Sequence, residues 1–273
     1  MARLLLDCFP LCGFPWRLGV ATEADEREAA YRLRYDVFFR EQGYGRAGWL
    51  RTDERDVDGF DDWCDHLILQ DRASNQVIAT IRAIPGVEAL RRGGFYASNE
   101  FDYTPLAPIA AQILQGSRTC VAAGFRSGLA FRYLSYGMEL LLRWHGCHYF
   151  LGADSFRADN IDALNRIYSY VRRFATDPDW HVEPLPACQV AGLREVPVTE
   201  ADEQLLPNLI RVDLQIGFRA CGPPAWDPDF CCYDLLVLAR RDRMSRRYNA
   251  FIDRIERRLP IQPDDGTSLS SRP

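Results

Sequence analysis

The spacing of apolar and polar positions changes along the chain, and each change predicts an element. Thr22-x-x-Asp25 resembles a capping box, and Ala30, Leu33, Val37 and Phe38 follow at helical spacing until Gly43 closes the run. The segments 66–71 and 77–82 read as strands joined by the turn-rich Ala73-Ser74-Asn75. A short helix is expected after Pro105, then a strand over 117–122 and an amphipathic helix over 128–143 entered through a loop with Gly124 and Gly128. A buried strand at 149–153, a helix at 161–174, a Pro-rich stretch of short strand-like pieces at 177–207, a strand at 234–239 and a charged helix at 245–258 complete the series. The first apolar segment, Leu4 to Trp16, is interrupted by Asp7 and two prolines. It reads as a strand packed on the core, with contact to a membrane surface as the alternative, and makes a poor signal peptide. The longest apolar runs fall far short of a membrane span.

Strands alternate with helices around a central strand–loop–helix–strand–helix unit, which predicts a mixed α/β sandwich. No linker interrupts it, so residues 1–259 are read as one domain and the polar 260–273 as a disordered tail.

Composition narrows the chemistry. All 33 basic residues among the 273 are Arg, so the chain has no Lys for a Schiff base, a nucleophile or a phosphate loop. The net charge of −5 argues against a nucleic-acid partner, which needs a clustered basic face. Nine cysteines lie in apolar runs without C-x-x-C spacing, which indicates reduced thiols, with neither disulfides nor a metal site. The reading is a cytoplasmic protein, with room for peripheral contact at the inner membrane.

Four clusters of reactive residue types remain. The first is Arg34 and Phe38, with Tyr44 six residues on; the second is the acidic run Asp58 to His66. The third comprises Arg82 and the stretch Phe95 to Asp102, which contains Glu100. The fourth is Gln115-Gly-Ser117-Arg118-Thr-Cys-Val121, followed by Gly124-Phe-Arg126-Ser-Gly128-Leu-Ala130. Cys64 beside His66 and Cys147 beside His148 lie outside any nucleophile motif and read as core residues. Asp154-Ser155 is read as a site contact or a helix cap, and Asp227-Pro-Asp229-Phe230 as a tunnel rim or a turn.

Together the motifs F-D-x-x-C-D-H-L (60–67), T-x-R (80–82), F-Y-x-S-x-E-F-D (95–102), R-T-C-V (118–121) and C-G-x-P-A-x-D-P-D-F (221–230) form a series. The chain resembles the GNAT-like N-acyltransferases of the ornithine-lipid (lyso-ornithine lipid) synthase group, also labelled hemolysin-like, over roughly Tyr31 to Tyr248. More distantly it is similar to the acyl-homoserine-lactone synthases, through Arg34, Phe38, Tyr44, the Asp58/Asp61 pair, Arg82 and Ser117-Arg118. The resemblance implies a GNAT fold, a twisted mixed sheet with splayed strands between helical layers. It also implies transfer of a fatty, or 3-hydroxy fatty, acyl group from acyl carrier protein to the amine of an amino acid such as ornithine.

That chemistry needs no metal, no bound cofactor and no acyl-enzyme, since the thioester carbonyl of acyl carrier protein or acyl-CoA is already activated. It needs positioning, a path for the ammonium proton and donors for the oxyanion. Asp58, Asp61 and Glu100 are the expected catalytic carboxylates. Arg34, Phe38, Tyr44, Arg82, Gln115, Ser117 and Arg118 are expected at the acceptor, with ion pairing to the acids as the alternative role of Arg34 and Arg82. Val121, Gly124, Arg126, Gly128, Ala130 and Arg132 are expected at the pantetheine arm or the carrier protein. Where the related families carry Glu, this chain has Gln115, which cannot accept a proton at neutral pH. That departure raises one alternative, a non-catalytic acyl-carrier or lipid-binding protein; an acetyl-CoA-dependent small-molecule N-acetyltransferase is a further reading, favoured if coenzyme A binds and carrier protein does not.

Overall fold

A computed structural model describes residues 3–7, 13–45 and 52–258. The expected tail therefore lies outside the described residues. A nine-stranded sheet runs through the molecule in the order β1-β2-β3-β4-β5-β6-β9-β7, with β8 paired to β9. The strands are β1 (Arg3–Asp7), β2 (Trp16–Val20), β3 (Asp65–Asp71), β4 (Gln76–Pro85), β5 (Ile113–Val121), β6 (Tyr149–Phe156), β7 (Arg219–Ala220), β8 (Ala225–Asp227) and β9 (Cys232–Arg240). Among the described residues six α-helices cover it: α1 (Ala24–Tyr35), α2 (Gly86–Arg91), α3 (Leu129–Trp144), α4 (Ile161–Phe174), α5 (Asn208–Ile216) and α6 (Arg246–Arg258). Every pairing is antiparallel except β5 with β6, whose crossover is α3.

Period-2 alternation sends neighbouring side chains of one strand into different cores. Phe150 packs in the core beneath α3 and α6, whereas Leu151 packs in the core beneath α2 and the 3-10 segment Thr104–Gln112. A third core holds α4 and α5 against Phe156, Leu235 and Val237. The sheet is thus the middle of three layers, as the sequence predicts. Helix α3 lies close on β2 and β3 at Gly137, where an added Cβ would stand 2.5 Å from a Leu67 methyl carbon. Glycine is the residue that admits this approach.

Three sequence expectations change in detail. The cap of α1 is Glu23, whose box partner is Glu26, not the pair Thr22/Asp25. The helix also ends earlier than Gly43: past Tyr35 the backbone widens into a π-helical turn, Asp36–Glu41, that turns Phe38 toward the site. The stretch 177–207 forms no ladder strand, only isolated bridges such as Gln189 to Ala225, since its prolines lack the N–H a ladder needs.

Candidate active site

Strands β5 and β6 pair only at Ile113–Tyr149, Leu114–Phe150 and Gln115–Leu151. Beyond Gln115 each strand stays with its other neighbour, β5 with β4 as far as Val121 and β6 with β9 as far as Phe156. The parallel pair therefore opens into a wedge. A cavity of about 340 Å³ fills the wedge, walled by Gln115–Thr119 on one side and Phe150–Ser155 on the other. Its apolar end lies under α3, where Leu134, Met138, Phe218 and Met244 contribute. Its polar end carries Tyr44, Tyr96, Arg118, Asp227 and Asp234.

Arg118 owes its place to a break in the strand. Arg82 pairs with Ser117 but Thr80 with Cys120, so β5 carries one residue more than β4 across that step. The backbone of Arg118 takes φ 54°, which a non-glycine residue adopts only where its surroundings compel it. The compulsion is electrostatic. Arg118 Nε donates to Asp56 at 2.9 Å and its guanidinium stacks between Tyr96 and Phe230, 4.6 and 4.5 Å from their centroids.

Asp56, Asp58 and Asp61 face Arg34, Arg82 and Arg118. Arg34 donates to both oxygens of Asp61, at 2.8 and 3.0 Å, and to Asp56 at 2.8 Å. Arg82 donates to Asp58 at 2.5 Å, to Asp61 at 3.2 Å and to Ser117 at 2.9 Å. Arg34 and Arg82 are each 1% exposed and do not line the cavity. Both guanidiniums are taken up by the acids. Asp61 changes role with them. Burial would raise its carboxyl, but the hydrogen bonds and charge of Arg34, with Arg82, hold it well below the usual carboxylate range. That makes it a poor proton acceptor. Asp58 keeps its side chain 27% exposed.

Glu100 also differs from expectation. Burial and the charge of Asp234 push its carboxyl up to about 11, which favours the protonated form. Gln115 lines the cavity; its Oε1 accepts the Tyr96 N–H at 2.8 Å, and its buried Nε2 has no partner. A second acidic pair lies across the sheet. Asp154 on β6 and Asp213 on α5 both line the cavity. Burial raises both, Asp213 to about 7, while the neighbouring Asp213 pushes Asp154 up as well. Such a pair shares protons near neutrality. Asp213 leaves a sequence trace, an acid beside the apolar positions Leu209, Val212 and Ile216 of its helix; Asp234 likewise heads an otherwise apolar strand. Neither signal specifies which acids meet.

Cys120 and Cys147 are placed as core residues. Burial pushes Cys120 up to about 12, and Cys147 donates to the Ile113 carbonyl at 3.4 Å. His66 Nε2 points at the Asp61 carbonyl at 2.9 Å, and neither it nor Cys64 lines the cavity.

Outside the wedge, a groove sharing Gln42, Thr119 and Leu209 with the cavity runs past the start of α3. Gly128 caps that helix at φ 83° with no side-chain partner for the first-turn N–H groups. Val121, Arg126, Gly128 and Arg132 line the groove, joined by Arg247 and Arg254 of α6. Arg126 pairs with Glu41 and donates to the Val121 carbonyl. The side chain of Ala130 is buried in the core below, so it offers the groove only its backbone, and Gly124 does not line it.

Residues 33–136 match the family described as "Acetyltransferase (GNAT) domain". The curated relatives of similar length carry the name L-ornithine N(alpha)-acyltransferase. The one from Rhodobacter capsulatus is 28% identical over 88% of this chain and 95% of its own. That from Brucella abortus is 27% identical over 82% and 84%. The chain is an acyltransferase with a GNAT fold. Solved structures similar to this acyltransferase include the CoA-dependent acyl-homoserine lactone synthase BjaI, at TM-score 0.48 and 16% identity over 85% of this chain and 83% of that one. FeeM, an N-acyl amino acid synthase from uncultured soil microbes, aligns at TM-score 0.46 and 11% identity over 83% and 91%. Among the described residues no helix of the acyltransferase is long and apolar enough to cross a membrane.

Proposed function

We propose that the enzyme transfers a long acyl chain from a pantetheine thioester, borne by acyl carrier protein, to the α-amine of ornithine by direct attack. The observation that carries this reading is the wedge beyond Gln115. It joins an Arg-lined groove to a cavity with one apolar and one acidic end. The relatives' names supply the acceptor. In this reading the pantetheine arm lies in the wedge, with its phosphate at the start of α3 near Arg132. The acyl chain extends toward Met138 and Met244. The amino acid enters at the polar end, where Arg118, the member of the Arg cluster that lines the cavity, receives its carboxylate.

The chemistry then balances without a covalent enzyme intermediate. The Asp154/Asp213 pair takes one proton from the ammonium, and the free amine attacks the thioester carbonyl. The unpartnered Gln115 amide N–H donates to the oxyanion. As the tetrahedral intermediate collapses the C–S bond breaks, and the amine's second proton reaches the departing sulfur. The products are an amide and a thiol. Under this assignment Gln115→Glu lowers kcat about a hundredfold, since a carboxylate replaces the donor. A rise in kcat would instead make residue 115 a base position.

The direct test is to incubate the enzyme with 3-hydroxyacyl carrier protein, the matching acyl-CoA or acetyl-CoA, and a panel of amines, then seek amides by mass spectrometry. No amide from the carrier protein with any amine sinks the reading, and product from acetyl-CoA alone favours a small-molecule acetyltransferase. Charge reversal at Arg132 and Arg247 is expected to raise KM for the carrier-protein donor about tenfold at low salt, with the difference shrinking as salt rises. Steady-state kinetics at two ionic strengths check this, and an unchanged KM would remove the groove from donor binding.

A further inference from the structure

Two carboxylates at the polar end of the cavity, Asp227 and Asp234, meet a third, Glu100, and among the described residues no base is paired with them. Glu100, Asp227 and Asp234 are 4%, 4% and 2% exposed, and oxygens of all three lie within 4.8 Å of one another. They come from separate elements: Glu100 ends the 3-10 turn Tyr96–Asn99, Asp227 lies on β8 and Asp234 on β9. No single loop conformation explains their meeting. Asp227 Oδ1 accepts the N–H groups of Asp229 and Phe230, at 2.7 and 3.1 Å, and Asp234 accepts the Cys232 thiol at 3.7 Å. Among the described residues none of the three has a basic side chain within ion-pairing distance, in contrast to Asp56, Asp58 and Asp61. One oxygen of the buried Glu100, Oε2, has no hydrogen-bond partner at all. Asp227 and Asp234 line the cavity, where the buried, unpartnered Gln115 amide also arrives. Clustered anions in a buried wall are a poor structural device, because each raises the cost of ionising the others. They are a good device for receiving a cation.

We propose that this triad receives the side-chain ammonium of a dibasic amino-acid acceptor and so sets the enzyme's preference for an acceptor with a second cationic group. The inference rests on the acyl-transfer reading above and assigns specificity within it. An ammonium has three N–H donors, and three oxygens sharing one at hydrogen-bond distance stand about 4.6 Å apart. The Tyr96 and Phe230 rings in the same wall suit the ammonium's methylene stem. Glu100, protonated in the free enzyme, releases its proton when the ammonium arrives beside it.

The test compares L-ornithine with L-2-aminopentanoate, the same amino acid without the side-chain ammonium, in the wild type and in Asp234→Asn, Asp227→Asn and Glu100→Gln. A charge-assisted contact of this kind corresponds to a preference of about 30-fold or more in kcat/KM for ornithine, and each Asp variant is expected to shrink that ratio at least about tenfold. A wild-type ratio near one overturns the assignment, as does a variant that slows both amines in parallel. Titration calorimetry of the donor-free enzyme with ornithine provides a readout independent of turnover. Binding weakened in Asp234→Asn, with heats that depend on the buffer in the sense of proton release, upholds the triad even if no donor is turned over and acyl transfer fails. Binding that is absent, or indifferent to Asp234, overturns it. A parallel titration with magnesium or calcium chloride that displaces ornithine makes the triad a metal site instead.

Discussion

Asp61→Asn is expected to lower the unfolding free energy by about 3–5 kcal/mol, the cost of removing one partner from a buried ion network. The carboxylate is 2% exposed and accepts from two guanidiniums, Arg34 and Arg82, that are themselves 1% exposed. The Asn would offer Arg34 one oxygen instead of two, and would leave a net positive charge where three acids now match three bases. The network also predicts acid sensitivity. Asp56 and Asp61 are both held below the usual carboxylate range in the fold, so their contribution is fully present above about pH 4 and is lost as pH falls further. Urea denaturation at neutral pH checks the first effect, and the same titration on acidification checks the second. A change under about 1 kcal/mol would show that the cluster is poised for a ligand rather than built into the fold. The effect reaches the site through Arg118, whose strained backbone is balanced by Asp56 and Asp58.

Most of the scaffold was legible because it depends on periodicity. Periodicity announced the strand–helix–strand order of β5, α3 and β6, whereas the splay between the two strands was implied by the family resemblance and not by the pattern. Charge partnership was harder to read. Asp61, Glu100 and Asp154 are each one acidic letter in the chain, yet the first is anchored by two guanidiniums, the second holds its proton, and the third shares one. Those differences arise from contacts between residues far apart in sequence, such as Asp154 with Asp213 and Glu100 with Asp234. The extra residue in β5 is equally silent: nothing in Ser117-Arg118-Thr119 signals a left-handed backbone at an arginine. Arg34 and Arg82 had two readings in the sequence, and their burial against Asp56, Asp58 and Asp61 favours the ion-pairing one.

Asp154→Asn is expected to reduce kcat by up to about 10⁴-fold and to change its pH dependence, a combination that a merely structural role would not give. The paired carboxyls can accept the ammonium proton only after the pair has lost its first proton. Burial raises Asp213 to about 7, so in the wild type the rate is low below that value and climbs to a plateau above it. An amide at position 154 removes the partner carboxyl. Asp213 then faces a neutral hydrogen-bonding group, and the limb near neutrality is displaced or lost along with the rate. The profile should be measured as kcat at saturating ornithine, which reports the enzyme–substrate complex rather than the free amine. Asp154→Glu, which keeps the acid but crowds the wedge, is expected to recover part of the rate and restore a limb. If Asp154→Asn slows the reaction while the limb keeps its midpoint, the proton leaves by another route. Asp58, the exposed member of the Arg-held acids, is then the acceptor to substitute next, ahead of the buried Asp61 and Glu100.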